Sequence, residues 1–317
     1  MTLERTFTRN VPKPWGSTDL RPWNAHHGEG LAIGEVWFQR TDQQASESAL
    51  LLKILFTSEP LSIQVHPNDA YAQLIGLVHG KCEAWYILSA LPGARIALGL
   101  KRSVSPGELR ASIESGSIVE LVQWRHVKSG DAILVVAGTI HAIGSGIVVA
   151  EIQQRSEATF RLFDFGRQRE LHTDHAIAAA SGTHAARQAP SRKLTKQRTL
   201  LVAGQHFVLE RIELPPGSEW ELLAPGETWL FVLDGGARVG ALDAGKGEAI
   251  FLEADSASIR VRSAGLQGLL AYVGAHANPN LLRTLEGKDA GIPKSNQEQS
   301  FLQSELMLAL APSLWRP

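Results

Sequence analysis

The sequence predicts a mainly β protein made of two β-rich domains, with a helical insert in the first. Short apolar runs rich in valine, isoleucine, leucine and aromatic residues recur between turns containing Gly, Pro, Asn or Asp. A polar, basic, proline-containing stretch over residues 187–198 separates two such blocks and reads as a linker. Ser105-Pro106-Gly107-Glu108 has the serine cap, first-turn proline and third-position glutamate of a helix start. The expected division is therefore 1–186 for the first domain, with the helical insert at about 101–126. Residues 199–275 form the second domain, and 276–317 a C-terminal extension ending in a helix.

A length of 317 residues with 44% hydrophobic residues supplies two cores of ordinary size. Lys+Arg at 31 against Asp+Glu at 32 leaves a net charge of -1, so no global field draws the chain to nucleic acid or an anionic membrane. The first ten residues lack the apolar core of a signal peptide, and Cys82 is the single cysteine, which excludes an intrachain disulfide. These features predict a cytoplasmic protein whose partner is a small molecule. Residues 132–150 imitate a membrane span, but their glycines and β-branched residues fit buried strands joined by a tight turn.

In chain order, Val11-Pro12-Lys13-Pro14-Trp15-Gly16 reads as a rigid loop, because each proline restricts itself and its predecessor to extended backbone. Ile33 to Arg40 and Ala49 to Phe56 read as strands, and Lys53 interrupts the second. The ordinary reading of Lys53 is a stem on the core with its ammonium snorkelling to water, whereas a functional one requires a pocket beside it. Leu61 to Val65 is a strand ended by Pro67-Asn68-Asp69, with a short helix from Asp69 to about Leu77. Glu83 to Leu88 follows, with Glu83 and Trp85 on one face and Cys82 opposite, as a small core side chain. The helical insert runs to about Arg125. In the second block the strands fall near Phe207–Leu214, Thr228–Leu233, Glu248–Phe251 and Leu269–Val273. Phe301, Leu302, Leu306, Met307 and Leu310 have helical spacing and pack back on the protein or on a second subunit; the sequence leaves the oligomeric state open.

Alternation along an extended Leu61–Val65 run projects Gln64 and His66 to one side. Glu83 and His141, each in its own apolar run, then complete a mixed nitrogen and oxygen shell suited to a divalent metal such as zinc. Lys53, Lys81, Glu157 and Arg161 accompany them. So many polar groups on one barrel are costly to bury unless metal or substrate engages them.

Gly130-x5-Val136-x-Gly138-x2-His141 resembles the second cupin motif, with Val136 where proline is usual and Ser145 where asparagine is usual. The first motif is represented by Gln64, in a histidine's place, His66 and a late Glu83. Gly247 opens the same spacing again, but Ser258 takes the histidine's place, so the second domain reads as a degenerate, metal-free barrel.

Pro60 to Asp69, Gly80 to Ile87, Ala137 to Ile143, Glu151 to Gln154 and Phe160 to Asp164, together with Lys53-Ile54-Leu55, resemble the mannose-6-phosphate isomerase family in its short bacterial form. The resemblance implies two jelly-roll barrels of the cupin type. It also implies one zinc ion per chain held by Gln64, His66, Glu83 and His141, and interconversion of mannose 6-phosphate and fructose 6-phosphate through a cis-enediol. Arg161 matches the family's active-site arginine, Lys53 and Lys81 match lysines of its pocket, and Ser62 matches a position associated with the phosphate. Glu157 stands where aspartate is usual, and Arg155 replaces a small or neutral residue. The general base is open among Lys53, Glu157 and a metal-bound water. Two other readings are a sugar-phosphate sensor without turnover, favoured by Val136, Arg155 and Glu157, and a cupin oxygenase, against which Gln64 speaks.

Overall fold

The protein was described from a computed structural model, which covers residues 2–28, 30–42, 44–181 and 188–285. The apolar cluster from Phe301 to Leu310 lies outside the described residues. The first half contributes β1 (Thr2–Ser17), β2 (Ile33–Arg40), β3 (Leu50–Thr57), β4 (Ile63–Val65), α1 (Asp69–Leu74), β5 (Glu83–Ala90) and β6 (Arg95–Leu100). It continues with α2 (Pro106–Ser115), α3 (Ile118–Leu121), β7 (Val122–His126), β8 (Ala132–Val135), β9 (His141–Ile143), β10 (Ile147–Gln154), β11 (Phe160–Phe163) and α4 (Thr173–Ala179). The second half contributes β12 (Arg192–Lys193), β13 (Arg198–Ala203), β14 (Phe207–Leu214), β15 (Glu219–Ala224) and β16 (Thr228–Val239). It ends with β17 (Leu242–Gly245), β18 (Ala249–Glu253), β19 (Asp255–Val273) and β20 (Leu282–Thr284).

The mainly β class is as the sequence predicts. The strands form two antiparallel sheets: a large one running β12-β13-β14-β19-β16-β18-β1-β2-β3-β10-β5-β8, and a smaller one, β11-β4-β9-β6-β7. Among the described strands the pairing is open-ended and closes no barrel. The hinge between the halves is β1, whose residues Thr2–Arg5 pair with β18 while Thr6 onward pair with β2. The segment read as a proline-stiffened loop is thus the end of a long strand. Extended backbone is what its prolines favour, and the ladder accommodates Pro12 by a register shift between Val11 and Pro12.

Strand β3 shows why its sequence is nearly all apolar: both faces are covered. Leu50, Leu52, Ile54 and Phe56 face a core shared with Phe207, Leu209, Trp229 and Phe231 of the second half, while Leu55 faces the space between the two sheets, with Trp85, Ile87, Ile96 and Ile143. Register then places Trp37, Lys53, Glu151 and Trp85 in one row across β2, β3, β10 and β5. Lys53 therefore lies inside the protein and does not snorkel. The helical insert ends sooner than expected. After α3, Val122–His126 is a strand paired with β6, with Val122 buried in the core that α2 and α3 cover. Residues 132–150, the imitation of a membrane span, are strands; among the described residues no helix is long and apolar enough to cross a membrane.

Candidate metal centre and active site

Two sheets converge on one cluster. Gln64 on β4 lies directly opposite His141 on β9, His66 follows the end of β4, and Glu83 opens β5 on the facing sheet. Two glycines make this convergence sterically possible. A Cβ on Gly80 would stand 2.5 Å from the Asn68 carbonyl carbon, so glycine lets the chain entering Glu83 pass close over the Pro67–Asn68 turn, where the Lys81 N–H donates to the Pro67 carbonyl. Gly138, at φ +85°, donates its N–H to the His66 carbonyl and ties the turn before His141 to the turn after β4.

His66, Glu83 and His141 are 1% exposed, and their ligand atoms lie within 4.8 Å of one another. His66 Nδ1–H donates to the Ala158 carbonyl (2.7 Å) and His141 Nδ1–H to the Thr139 carbonyl (2.9 Å). Each neutral ring therefore points an Nε2 lone pair inward, at 3.3 Å and 3.4 Å from the Glu83 carboxylate oxygens. Burial, and then the Lys81 charge, pushes His66 down to about 3, which keeps its ring neutral; burial lowers His141 too. Neither Glu83 oxygen has a well-formed hydrogen bond. Lone pairs from three residues thus face one another, and a divalent cation would satisfy the two Glu83 oxygens that hydrogen bonding leaves unmet. Gln64 adjoins this set: its NH2 donates to His141 Nε2 at 3.3 Å, and its Oε1 accepts from the Ser62 hydroxyl at 3.0 Å. A rotated amide would offer the oxygen to a metal, with Ser62 becoming the acceptor.

Behind the cluster is a buried ladder of alternating charge. Lys81 Nζ is 3.1 Å from Glu83 and 3.2 Å from His66 Nε2. Lys53 Nζ is 3.6 Å from Glu151 and 3.7 Å from Glu35, over the face of Trp37, and Lys13 reaches Glu35 at 3.1 Å. Burial works against the charged Glu83, but the Lys81 ammonium 3.1 Å away outweighs it and holds that carboxyl well below its ordinary range. The opposite holds at Glu151, where burial and then the Glu83 charge push the carboxyl up to about 6. Burial also lowers the Lys53 ammonium, outweighing the attraction of Glu151. Three lysines and three glutamates balance within this ladder, and Arg161 and Arg169 outnumber Glu157 on the rest of the cavity wall, so a divalent ion would add to a cavity already net positive.

These residues line a cavity of about 240 Å³ that also receives Ser62, Thr159, Glu157, Arg161, Arg169 and His172. Every residue expected at the site except His66 and His141 is on its wall, and those two stand behind it in the ligand cluster. Glu157 is exposed, and the Arg161 guanidinium donates to the Glu170 carbonyl at 3.4 Å. Arg155 is absent from the wall: it turns away to donate to the Ser48 carbonyl and hydroxyl. Sequence reading missed Glu35, Glu151, Arg169 and His172. For the two glutamates a signal existed, since strand parity with Lys53 across β2 and β10 would place them beside it, but only once the pairing is known.

No family model matches the chain. A mannose-6-phosphate isomerase of Streptococcus mutans is 34% identical over 209 residues, 62% of this chain and 66% of the relative. A Bacillus subtilis enzyme of the same name is 38% identical over 164 residues, 47% of this chain and 50% of the relative. The matched regions thus span from half to just under two thirds of these curated relatives. The crystal structure of the Bacillus subtilis mannose 6-phosphate isomerase superposes with a TM-score of 0.74 at 26% identity, covering 86% of this chain and 99% of that one. A mutant of phosphomannose isomerase from Salmonella typhimurium, at 14% identity and a TM-score of 0.67, shares the fold. By sequence over about half to two thirds of their length, and by fold over almost all of it, the chain is similar to mannose-6-phosphate isomerases.

Proposed function

We propose that this protein is a zinc-dependent isomerase that interconverts mannose 6-phosphate and fructose 6-phosphate through a cis-enediol. The observation that carries the reading is the pair of neutral imidazoles, His66 and His141, aimed with Glu83 at one point beside a cationic sugar-sized cavity. Gln64, His66, Glu83 and His141 would hold the metal. When bound, zinc supplies Lewis acidity toward the sugar's hydroxyl and carbonyl oxygens. Arg161 stabilises negative charge as it develops on the enediolate. Lys53 and Glu151, 3.6 Å apart with pKa values displaced toward each other, form the pair that takes and returns the carbon-bound proton. Glu157 at the mouth serves exchange with solvent, and Ser62 and Lys81 favour the anionic substrate. On this reading each half would be a cupin-like jelly roll that stays open, and only the first would carry a metal. Arg155, turned from the cavity, takes away one of the features that favoured a sensor.

The test is an assay that couples formation of fructose 6-phosphate to a chromogenic step. Turnover with mannose 6-phosphate that disappears on chelation is expected. Tight fructose 6-phosphate binding without conversion would leave a sensor in its place.

A further inference from the structure

Arg161 lies on β11, an edge strand, so one side of its backbone has no neighbouring strand. A single residue takes that side. The Arg161 N–H donates to His172 Nδ1 at 3.2 Å, and the His172 N–H donates back to the Arg161 carbonyl at 2.9 Å. Two residues earlier the Glu170 carbonyl accepts from Arg161 Nη1 at 3.4 Å. The turn over residues 170–172 thus grips Arg161 at its amide, its carbonyl and its guanidinium.

His172 stands at the N-cap of α4, where a side chain ordinarily serves its own helix, yet it makes no capping hydrogen bond. Its ring is committed to Arg161. It lies 6.1 Å from the Phe160 ring and on the cavity wall. Accepting at Nδ1 requires the neutral tautomer with its proton on Nε2. Burial, and then the Arg161 charge, holds the ring below its ordinary pKa and favours that form.

We infer that His172 is a positioning residue: its Nδ1 replaces the missing strand and fixes the backbone from which Arg161 reaches the reacting oxygens. The inference rests on the isomerase reading for its effect on turnover, and on geometry alone for the clamp. Asn at this position offers Oδ1 close to where Nδ1 stands, whereas Leu fills similar space without an acceptor. His172→Leu should lower kcat roughly 10- to 100-fold, the scale of a catalytic group displaced by about an ångström, with KM changed less than about threefold and metal content unchanged. His172→Asn should recover most of the loss. Hydrogen exchange at the Arg161 amide reads the clamp without turnover: slow in wild type and His172→Asn, fast in His172→Leu. Equal kcat in wild type and His172→Leu, or equal impairment in both variants, would overturn the inference. An inactive wild type would count against the isomerase reading, and the exchange rates would still judge the clamp.

Discussion

At the scale of single residues, what distinguishes the site is that its polar groups are buried in mutual dependence. His141→Ala should abolish stoichiometric metal binding, since it removes one of two preorganised Nε2 atoms. Arg161→Ala should keep the metal and lose about 10²-fold or more in kcat, which metal analysis beside the coupled assay would separate. Lys53→Ala leaves Glu151 without its nearest cation while Glu35 keeps Lys13, and removing one partner of a buried pair costs about 3–5 kcal/mol, measurable by urea unfolding. Glu151 gives a pH test. A carboxyl whose folded pKa is raised stabilises the native state below its unfolded value near 4.5 and loses that contribution as pH rises through about 6. Metal-stripped wild type should thus lose about 2 kcal/mol relative to Glu151→Gln between about pH 4 and pH 7. A constant difference between the two would show that Glu151 has an ordinary pKa.

At the scale of elements, the site depends on turns that bring strands of opposite sheets together. Gly80→Ala introduces a Cβ 2.5 Å from the Asn68 carbonyl carbon, so the turn must shift and carry Lys81 and Glu83 with it. Loss of metal affinity together with about 1–3 kcal/mol of stability is expected, by isothermal titration and thermal melts. Much of this scale was legible beforehand. The bounds of β2 and β14 coincide with their apolar and aromatic runs, and the parity of Glu83, Trp85 and Cys82 is as read. What was not legible depends on partners distant in sequence. Val122–His126 is a strand because β6 offers it an edge, and residues 255–268 extend a strand whose local sequence is too polar and glycine-broken to announce it. Lys53 looked like a snorkelling side chain because nothing local reveals that both faces of β3 are covered.

At the scale of the whole molecule, the halves share one core. β1 pairs with β18 before joining β2, and the buried Glu227 carboxylate of the second half accepts the Ala49 and Leu50 N–H groups at the start of β3. Cys82 sits in that shared core, 5% exposed, and burial pushes its thiol up to about 11. Alkylation near pH 8 should therefore track global unfolding in a single transition, since only about a thousandth of such a thiol is ionised there even if reached. The second half thus braces the strand that carries Lys53, a role no motif spacing announces. If turnover requires one metal ion at His66, Glu83 and His141, titrating zinc into chelated protein while following conversion of mannose 6-phosphate reads that requirement directly. Activity that rises linearly and levels off at one equivalent per chain is the predicted result; full activity before any metal is added would contradict it.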